Sequence, residues 1–234
     1  MTSFGSDSID YAAERLRMVE RYVRMGYVRT GWMEKALKKV PRELFMPREL
    51  RRYAYEDEPY PIPGDGRQTI SAPYTYALFY EPLELRRGDR FLEVGMGSGY
   101  GAALAYEVIG EEGLVVTVEI NEETYRFGKG NLLRAGYGNV VTVLGDGSKG
   151  YPPLAPYDKI CVTAACPRIP DPLRSQLKAP GRLVAPVGPL NRWLGQDLTL
   201  LMKDENGRIQ VKKLSKVVYV PLQGEFGWSK LNDD

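Results

Sequence analysis

Short apolar runs alternate with amphipathic stretches between residues 90 and 187. The apolar runs, several of them rich in valine, predict five strands, at 91–94, 114–120, 140–144, 159–163 and 182–187. The stretches between them predict helices at about 100–109, 122–135 and 171–178. Buried strands that are separated by helices are typical of a parallel sheet with both faces covered. We therefore predict an α/β fold with a doubly wound, mostly parallel sheet.

The N-terminal part of the chain has a helical pattern instead. Apolar residues recur at intervals of seven, three and four over residues 9–25, which predicts one face of a helix made of Ile9, Leu16, Val19 and Val23. A second helix is predicted to follow Thr30 and to end near Pro41, because the residue before a proline disfavours helix. Residues 53–70 are rich in proline, glycine and acids and predict an extended connection.

A helix start and a hairpin turn mark the two ends of the predicted core. Ser71 precedes Pro73, so a helix is predicted to begin there with Ser71 as a plausible N-cap. Asn206-Gly207 lies between two apolar runs, at 197–202 and 209–220, and predicts a hairpin with antiparallel strands at the end of the sheet. The division predicted for residues 1–234 is a single domain with three parts: a helical extension and connection (1–70), a ligand-binding core (71–188), and a C-terminal hairpin and tail (189–234).

The composition is that of a globular protein. The chain has 234 residues, of which 43% are apolar and 26% charged, and this suffices for one domain with a buried core. No apolar run approaches the roughly 18 residues of a membrane span, and the first residues lack the pattern of a secretory signal. Cys161 and Cys166 are wrongly spaced for a zinc site and are predicted to be buried thiols. We expect a cytoplasmic protein that binds neither a membrane nor a metal.

The net charge of +2 conceals a basic N-terminal segment. Residues 1–52 contain twelve Lys or Arg against seven Asp or Glu. A basic segment attracts nucleic acid in some proteins. Here the charges alternate in sign, as they do on the solvated faces of helices, and no nucleic-acid partner is expected.

The absence of histidine excludes several kinds of enzyme. A Ser-His-Asp or Cys-His nucleophile cannot form, nor can a zinc site with imidazole ligands. Proton transfer would have to use Asp, Glu, Lys, Tyr or Cys. A reaction that needs no general base suits this chain best.

A glycine-rich turn follows the first strand of the predicted core. Glu93 is followed by Gly95, Gly97 and Gly99, and an alanine-rich helix comes next. Glycines let the backbone turn sharply and approach a ligand closely at a helix N-terminus. A dinucleotide fingerprint would require glycine where Tyr100 stands. The spacing resembles the first motif of class I methyltransferases, which implies S-adenosylmethionine as the methyl donor.

Two later strands also end in residues suited to that ligand. Glu119 ends the next apolar run, where a carboxylate can accept hydrogen bonds from both ribose hydroxyls. Asp146 and Gly147 follow the third run, where the carboxylate can accept the adenine amino group. Alone, Glu119 could equally be an exposed acid at a strand end, and an Asp-Gly pair is more often only a turn. Their order along the chain favours a ligand site.

A longer set of strings resembles the protein-L-isoaspartate O-methyltransferases. The most distinctive is Gln68-Thr69-Ile70-Ser71-Ala72-Pro73, ahead of the glycine turn. The likeness runs from about residue 10 to Trp228. It also includes Val40-Pro41-Arg42-Glu43, Ala54-Tyr55-Glu56-Asp57, Gly145-Asp146-Gly147-Ser148-Lys149-Gly150, Pro186-Val187-Gly188 and Val220-Pro221-Leu222.

The resemblance implies a repair enzyme with a Rossmann-like fold that methylates the α-carboxylate of L-isoaspartyl residues in damaged proteins and peptides. It implies Ser71 as the catalytic residue. The candidate donor-binding residues are Thr69, Ser71, Glu93, Gly95, Gly97, Gly99, Glu119, Asp146 and Gly147. Family members often carry a histidine soon after the serine, where this chain has Tyr74 and Tyr76. A carboxylate with a pKa of roughly 4 is already ionised at neutral pH, so a chain without histidine can carry out this reaction.

The sequence leaves three other functions open. A methyltransferase acting on RNA or a small molecule is supported only by the basic segment 1–52. An NAD-dependent oxidoreductase is opposed by Tyr100. A donor-binding module without catalysis requires that Ser71 and the connection at 53–70 be dispensable. Phe226 and Trp228 are expected either to cover a peptide substrate or to pack as ordinary aromatic residues.

Overall fold

The computed structural model describes residues 9–191 and 193–228. The first eight residues of the predicted extension and the last six of the predicted tail lie outside the described residues. The helices are α1 (Tyr11–Met25), α2 (Gly31–Lys39), α3 (Pro73–Leu83), α4 (Tyr100–Ile109), α5 (Glu122–Arg134) and α6 (Asp171–Gln176). The strands are β1 (Tyr60–Pro61), β2 (Thr69–Ile70), β3 (Arg90–Val94), β4 (Leu114–Glu119), β5 (Val141–Leu144), β6 (Tyr157–Val162), β7 (Leu177–Val187), β8 (Gln196–Lys203) and β9 (Ile209–Val217).

A seven-stranded sheet in the order β5-β4-β3-β6-β7-β8-β9 forms the centre of the molecule. The strands from β3 to β7 pair in parallel, whereas β8 and β9 pair antiparallel. The predicted fold class is therefore confirmed. The chain runs outward from β3 to β5 and then returns to place β6 on the other side of β3. In folds of this kind the crevice beyond the carboxyl ends of the strands, where the order reverses, is the usual ligand site.

Alternate side chains of the strands enter two apolar cores, one on each face of the sheet. Phe91 packs in the core that contains α1 to α4, while its neighbour Leu92 packs in the core that contains α6. Helices cover both faces, which is why the strands are apolar on both sides. Cys161 and Cys166 are free thiols and both are buried, as predicted.

The main difference in the core elements is the length of β7. The strand begins at Leu177, whereas the pattern predicted its start at residue 182. The added segment contains Pro180 and Gly181, residue types that are depleted in strands and therefore conceal the strand in the sequence. A register irregularity against β6 lies at the same place.

The predicted face of the first helix is partly wrong. Val19 is buried, but Leu16 and Val23 are 45% and 43% exposed. The buried face instead includes Met18 and Tyr22. Tyr22 decides this orientation because its ring packs on Tyr27 and its hydroxyl donates to the carboxylate of Asp57 in the extended connection. Ile9 lies before the helix and is also exposed.

The predicted role of Ser71 as a helix cap is also wrong. Helix α2 begins after Thr30, whose hydroxyl accepts a hydrogen bond from the N–H of Met33, as the sequence indicates. Helix α3 begins at Pro73, and its N-cap is Ala72, which has no side chain to accept such a bond. Ser71 lies one residue too early to cap the helix, so its hydroxyl is available for another contact.

The C-terminal hairpin is present, with Asn206 and Gly207 in the turn between β8 and β9. Strand β9 ends at Val217, three residues before the predicted end. The chain then crosses the carboxyl end of the sheet, where the N–H of Leu222 donates to the carbonyl of Ala165 over 2.7 Å. This crossing brings residues 218–228, hereafter the C-terminal segment, beside the predicted ligand site. Within the described ranges, no helix has both the length and the apolar character needed to cross a membrane.

Candidate active site

One large cavity, of about 1330 Å³, opens at the carboxyl ends of β3, β4 and β6. Seven of the predicted site residues line it: Thr69, Ser71, Glu93, Gly95, Gly97, Glu119 and Gly147. Gly99 and Asp146 do not line it. The parallel strands explain the convergence, because their carboxyl ends meet at one edge of the sheet.

The three glycines of the turn after β3 have different roles. All three have positive φ angles, of 95° at Gly95, 54° at Gly97 and 85° at Gly99. A Cβ on Gly95 would lie 2.4 Å from the hydroxyl of Thr163, and one on Gly99 would lie 2.9 Å from Leu132. These two glycines therefore allow the turn to pack on its neighbours. A Cβ on Gly97 would meet nothing closer than 3.8 Å, so Gly97 is the glycine that keeps the backbone open to the cavity.

The carboxylate of Glu119 joins the end of β4 to the glycine turn. Its Oε2 accepts the N–H of Gly97, and its Oε1 accepts the N–H groups of Ile120 and Asn121, each over 3.0 Å. Burial raises the pKa of this carboxyl, and the three N–H donors oppose that rise. A carboxylate has about four acceptor positions, so Oε2 retains one for a hydroxyl donor in the cavity.

Glu93 supports the turn from beneath. Its side chain is 1% exposed, and it accepts hydrogen bonds from Thr117 over 2.7 Å and from Tyr80 over 3.2 Å. Helix α4 passes so close that a Cβ on Gly101 would lie 2.2 Å from Glu93 Oε1. Burial raises the pKa of Glu93 to about 8, outweighing both hydrogen bonds.

Glu93 is expected to make the protein less stable at alkaline pH. Its pKa is about 8 in the folded chain against an ordinary 4.5, so its contribution to stability is complete below about pH 4.5 and is lost as the pH rises towards about 8. Glu93→Gln cannot ionise and should resist that loss. One pKa unit corresponds to about 1.4 kcal/mol, so the two proteins should diverge by several kcal/mol. Urea unfolding across this pH range measures the difference, and a constant difference would contradict the assignment.

Asp146 is held by the protein itself. Its Oδ1 accepts the N–H and the hydroxyl of Ser148 over 2.9 and 2.6 Å, and its Oδ2 accepts the N–H of Glu225 over 2.9 Å. The carboxylate therefore fastens the C-terminal segment beside the cavity, while Gly147 lines the wall. Two further bonds complete this attachment, from the N–H of Phe226 to Ser148 and from the indole of Trp228 to the carbonyl of Ala165.

Tyr219 is a site residue that the sequence does not indicate. It lies in the C-terminal segment and lines the cavity together with Ser71 and Thr75. The side chains of Thr75 and Ser71 hydrogen-bond to its hydroxyl and lower its pKa, but burial prevails and raises that pKa to about 12. Its ring packs on Phe79, with the ring centroids 5.0 Å apart. Tyr219 lies inside the apolar run predicted at 209–220, so the sequence indicates only ordinary strand packing for it.

Tyr74 and Tyr76 also line the cavity. The ring of Tyr74 lies 5.0 Å from that of Tyr27, and the ring of Tyr76 lies 5.0 Å from that of Tyr100. Burial raises the pKa of both phenols above the ordinary range. They therefore stay protonated at neutral pH and shape the wall of the cavity without acting as bases.

The chain is similar to known proteins of one family. A family model described as protein-L-isoaspartate(D-aspartate) O-methyltransferase matches residues 13–227. Proteins named protein-L-isoaspartate O-methyltransferase from Hyperthermus butylicus and Methanoculleus marisnigri are 46% and 50% identical, over 100% and 92% of this chain and 98% and 94% of their own. A solved structure of that name is 32% identical with a TM-score of 0.79, covering 91% of this chain and 67% of its own. A structure from Plasmodium falciparum, described as a complex with S-adenosyl-L-homocysteine, shares the fold with a TM-score of 0.78 at 23% identity, over 89% of this chain and 98% of its own.

Proposed function

This chain belongs to the protein-L-isoaspartate(D-aspartate) O-methyltransferase family, and we propose that the 1330 Å³ cavity is where it methylates the α-carboxylate of L-isoaspartyl residues. The methyl donor is S-adenosylmethionine, which supplies a methyl group activated by a positively charged sulfur. The observation that carries the proposal is that Ser71 and Glu119 line the same cavity. In the sequence, Ser71 precedes the glycine turn and Glu119 follows it.

The residues at the strand ends suit the donor. The free acceptor position on Glu119 Oε2 suits a ribose hydroxyl, which is a hydrogen-bond donor. The absence of a side chain at Gly97 leaves the backbone accessible beside that carboxylate. Gly147 also lines the cavity, and Asp146, the N-cap of the short turn Gly147–Lys149, keeps the C-terminal segment in place. We infer that Glu119, Gly97 and Gly147 hold the donor, and that Glu93, Gly95, Gly99 and Asp146 hold the walls.

The hydroxyl groups around Ser71 suit the acceptor. An α-carboxylate has a pKa of roughly 3.5 and is ionised at neutral pH, so it needs a hydrogen-bond donor and not a base. Ser71 lines the cavity, and its hydroxyl does not cap α3. We infer that Ser71 donates its proton to the carboxylate oxygen that is not being methylated, which orients the other oxygen.

The neighbours of Ser71 allow its hydroxyl to donate to a substrate carboxylate. The hydroxyl of Thr75 donates its one proton to the carbonyl of Ala72 over 2.6 Å, so that proton is not available to a substrate carboxylate. Tyr219 keeps its proton because its pKa is about 12. When Ser71 donates to a carboxylate, its oxygen is free to accept from Tyr219. Tyr219 is thus a positioning residue that supports Ser71 as a donor.

Removal of either hydroxyl is expected to slow turnover without unfolding the protein. Ser71→Ala should lower kcat by about 10-fold or more, since each 1.36 kcal/mol of lost transition-state stabilisation is tenfold in rate. Tyr219→Phe keeps the ring on Phe79 and should lower kcat by less. Because Tyr219 acts through Ser71, the double variant should be no slower than Ser71→Ala alone. Steady-state kinetics on the four proteins measures this, and additive losses would contradict the positioning role.

An acceptor assay tests the proposed function directly. With S-adenosylmethionine, a peptide containing one L-isoaspartyl residue should be methylated, whereas the same peptide with normal aspartate should not. A structured RNA serves as the second acceptor. Methylation of the RNA, or equal methylation of the two peptides, would overturn the proposal.

Part of the basic N-terminal segment is engaged within the protein. Two of its arginines are already in use, because Arg42 is fully buried against Tyr100 and Arg15 lies 3.7 Å from Glu43. They are therefore not part of a free basic surface. The buried free thiols Cys161 and Cys166 suit a reducing compartment, which supports the expected cytoplasmic location.

A further inference from the structure

A second cavity, of about 380 Å³, lies at the opposite end of the sheet from the donor cavity. It is formed where β6 and β7 begin and where β8 turns into β9. Five cationic residues line it, namely Arg86, Lys159, Arg182, Lys203 and Arg208, against two acids, Glu84 and Asp204. The cavity therefore has an excess of positive charge.

Lys159 is the unusual member of this group. It is 9% exposed, and its ammonium group makes no hydrogen bond or ion pair within the described part of the chain. Nearby lysines behave differently: Lys178 pairs with Asp158 over 2.9 Å, and Lys203 donates to the carbonyl of Leu177 over 2.7 Å. Its side chain lines the cavity, so the ammonium group can meet a ligand that enters there.

The register of the sheet places a second cation beside Lys159. Lys159 on β6 is paired with Arg182 on β7, so two cations lie side by side on adjacent strands. Like charges at paired positions destabilise a sheet. Glu84 is bound to Arg182 over 2.9 Å and so is already engaged. Burial lowers the pKa of Lys159, Arg182 and Arg86 lower it further, and Asp89 and Glu84 oppose them without forming an ion pair with it.

We propose that this cavity binds a small oxyanion of the phosphate class, with Lys159 as its central partner. A phosphate group presents several acceptor oxygens and more than one negative charge, which matches one unpaired ammonium with guanidinium groups at its side. With a volume of about 380 Å³, the cavity is large enough for phosphate or pyrophosphate. The cavity lies at the far end of the strands and leaves the donor cavity free. The oxyanion and the methyl donor would therefore be able to bind at the same time.

Such an anion is expected to stabilise the folded chain. A ligand that binds only the folded state raises the unfolding temperature in proportion to the logarithm of its concentration above its Kd. Thermal unfolding should therefore rise with added sodium phosphate, and more steeply with sodium pyrophosphate if two linked phosphates fit. Sodium chloride at matched ionic strength corrects for general screening.

Lys159→Met, which keeps the length of the side chain without its charge, is the decisive variant. Its calorimetric Kd for the tighter of the two anions should rise by about 10-fold or more, because a charged hydrogen bond is worth about 1.5–3 kcal/mol. Lys212→Met removes an exposed lysine of β9 and is the matched control. If Lys159→Met does not fold, Arg86→Gln replaces a second cation of the cavity and should weaken binding in the same direction.

Three results would overturn this proposal. They are no binding of either anion to the wild-type chain, equal binding to Lys159→Met, and equal weakening in Lys212→Met. The affinity for S-adenosylhomocysteine, measured on the same proteins, should stay constant throughout. The anion site is therefore tested separately from the proposed methyl transfer.

Discussion

Glu119→Ala is expected to weaken the binding of S-adenosylhomocysteine by about 100-fold. One charged hydrogen bond to a ribose hydroxyl is worth about 1.5–3 kcal/mol, which alone is about 10- to 100-fold in Kd. The carboxylate also holds the N–H groups of Gly97, Ile120 and Asn121. Its loss removes the bond that joins the glycine turn to β4. Binding of the ligand would then also have to order this turn, which costs free energy and weakens the affinity. Isothermal titration calorimetry measures the change.

The control for this substitution is Glu122→Ala, which removes an exposed acid from the first turn of α5. It should leave the Kd unchanged. Circular dichroism and thermal unfolding should show that Glu119→Ala is folded but less stable, because three backbone donors lose their acceptor. A wild-type Kd in a folded Glu119→Ala protein would remove this residue from the donor site.

Gly97→Val is expected to raise the Kd for S-adenosylhomocysteine by about 10- to 100-fold. The neighbours of Gly97 leave room for a Cβ, since the nearest atoms lie 3.8 Å and 3.9 Å away on Ile62 and Thr69. The two methyl groups of valine would extend from that point into the cavity and take the space of the ligand. Overpacking of this kind costs about 1–3 kcal/mol and sometimes more, and the left-handed φ of 54° adds strain for a side chain.

Two variants separate these causes. Gly136 has a φ of 88° and nothing within 4 Å of its Cβ position, so Gly136→Val carries the backbone strain without filling the cavity. Gly97→Ala adds the Cβ alone and should fall between wild type and Gly97→Val. If Gly136→Val weakens binding as much as Gly97→Val, the effect at Gly97 is one of stability and not of exclusion.

The described site explains how the chain can work without histidine. The phenols that surround the cavity keep their protons, since burial raises the pKa of Tyr76 and Tyr219. Glu119 is engaged by three N–H donors. These phenols and Glu119 are therefore poorly suited to act as general bases, and the site offers hydrogen-bond donors instead. This suits an acceptor that is already ionised, for which orientation supplies most of the rate acceleration.

The sequence by itself determined the core strands, the crossover helices and the residues at the strand ends. Apolar periodicity reports which side chains are buried within one element, and positive-φ turns require glycine. Both signals depend on neighbours in the chain, so Gly97 and Glu119 were predictable. The terminal hairpin was predictable for the same reason, because Asn206 and Gly207 form its turn locally.

The tertiary structure alone decided which distant residues meet. Ser71 was predicted as a cap or a catalytic group, and only the packing of the C-terminal segment shows Tyr219 beside it. Asp146 was predicted to accept the adenine amino group, and only the structure shows that its carboxylate also accepts the N–H of Glu225 in the C-terminal segment. The side-by-side position of Lys159 and Arg182 follows from the pairing of β6 with β7. Strand register and the path of the chain over the sheet are set by contacts between residues far apart in sequence, and no local pattern records them.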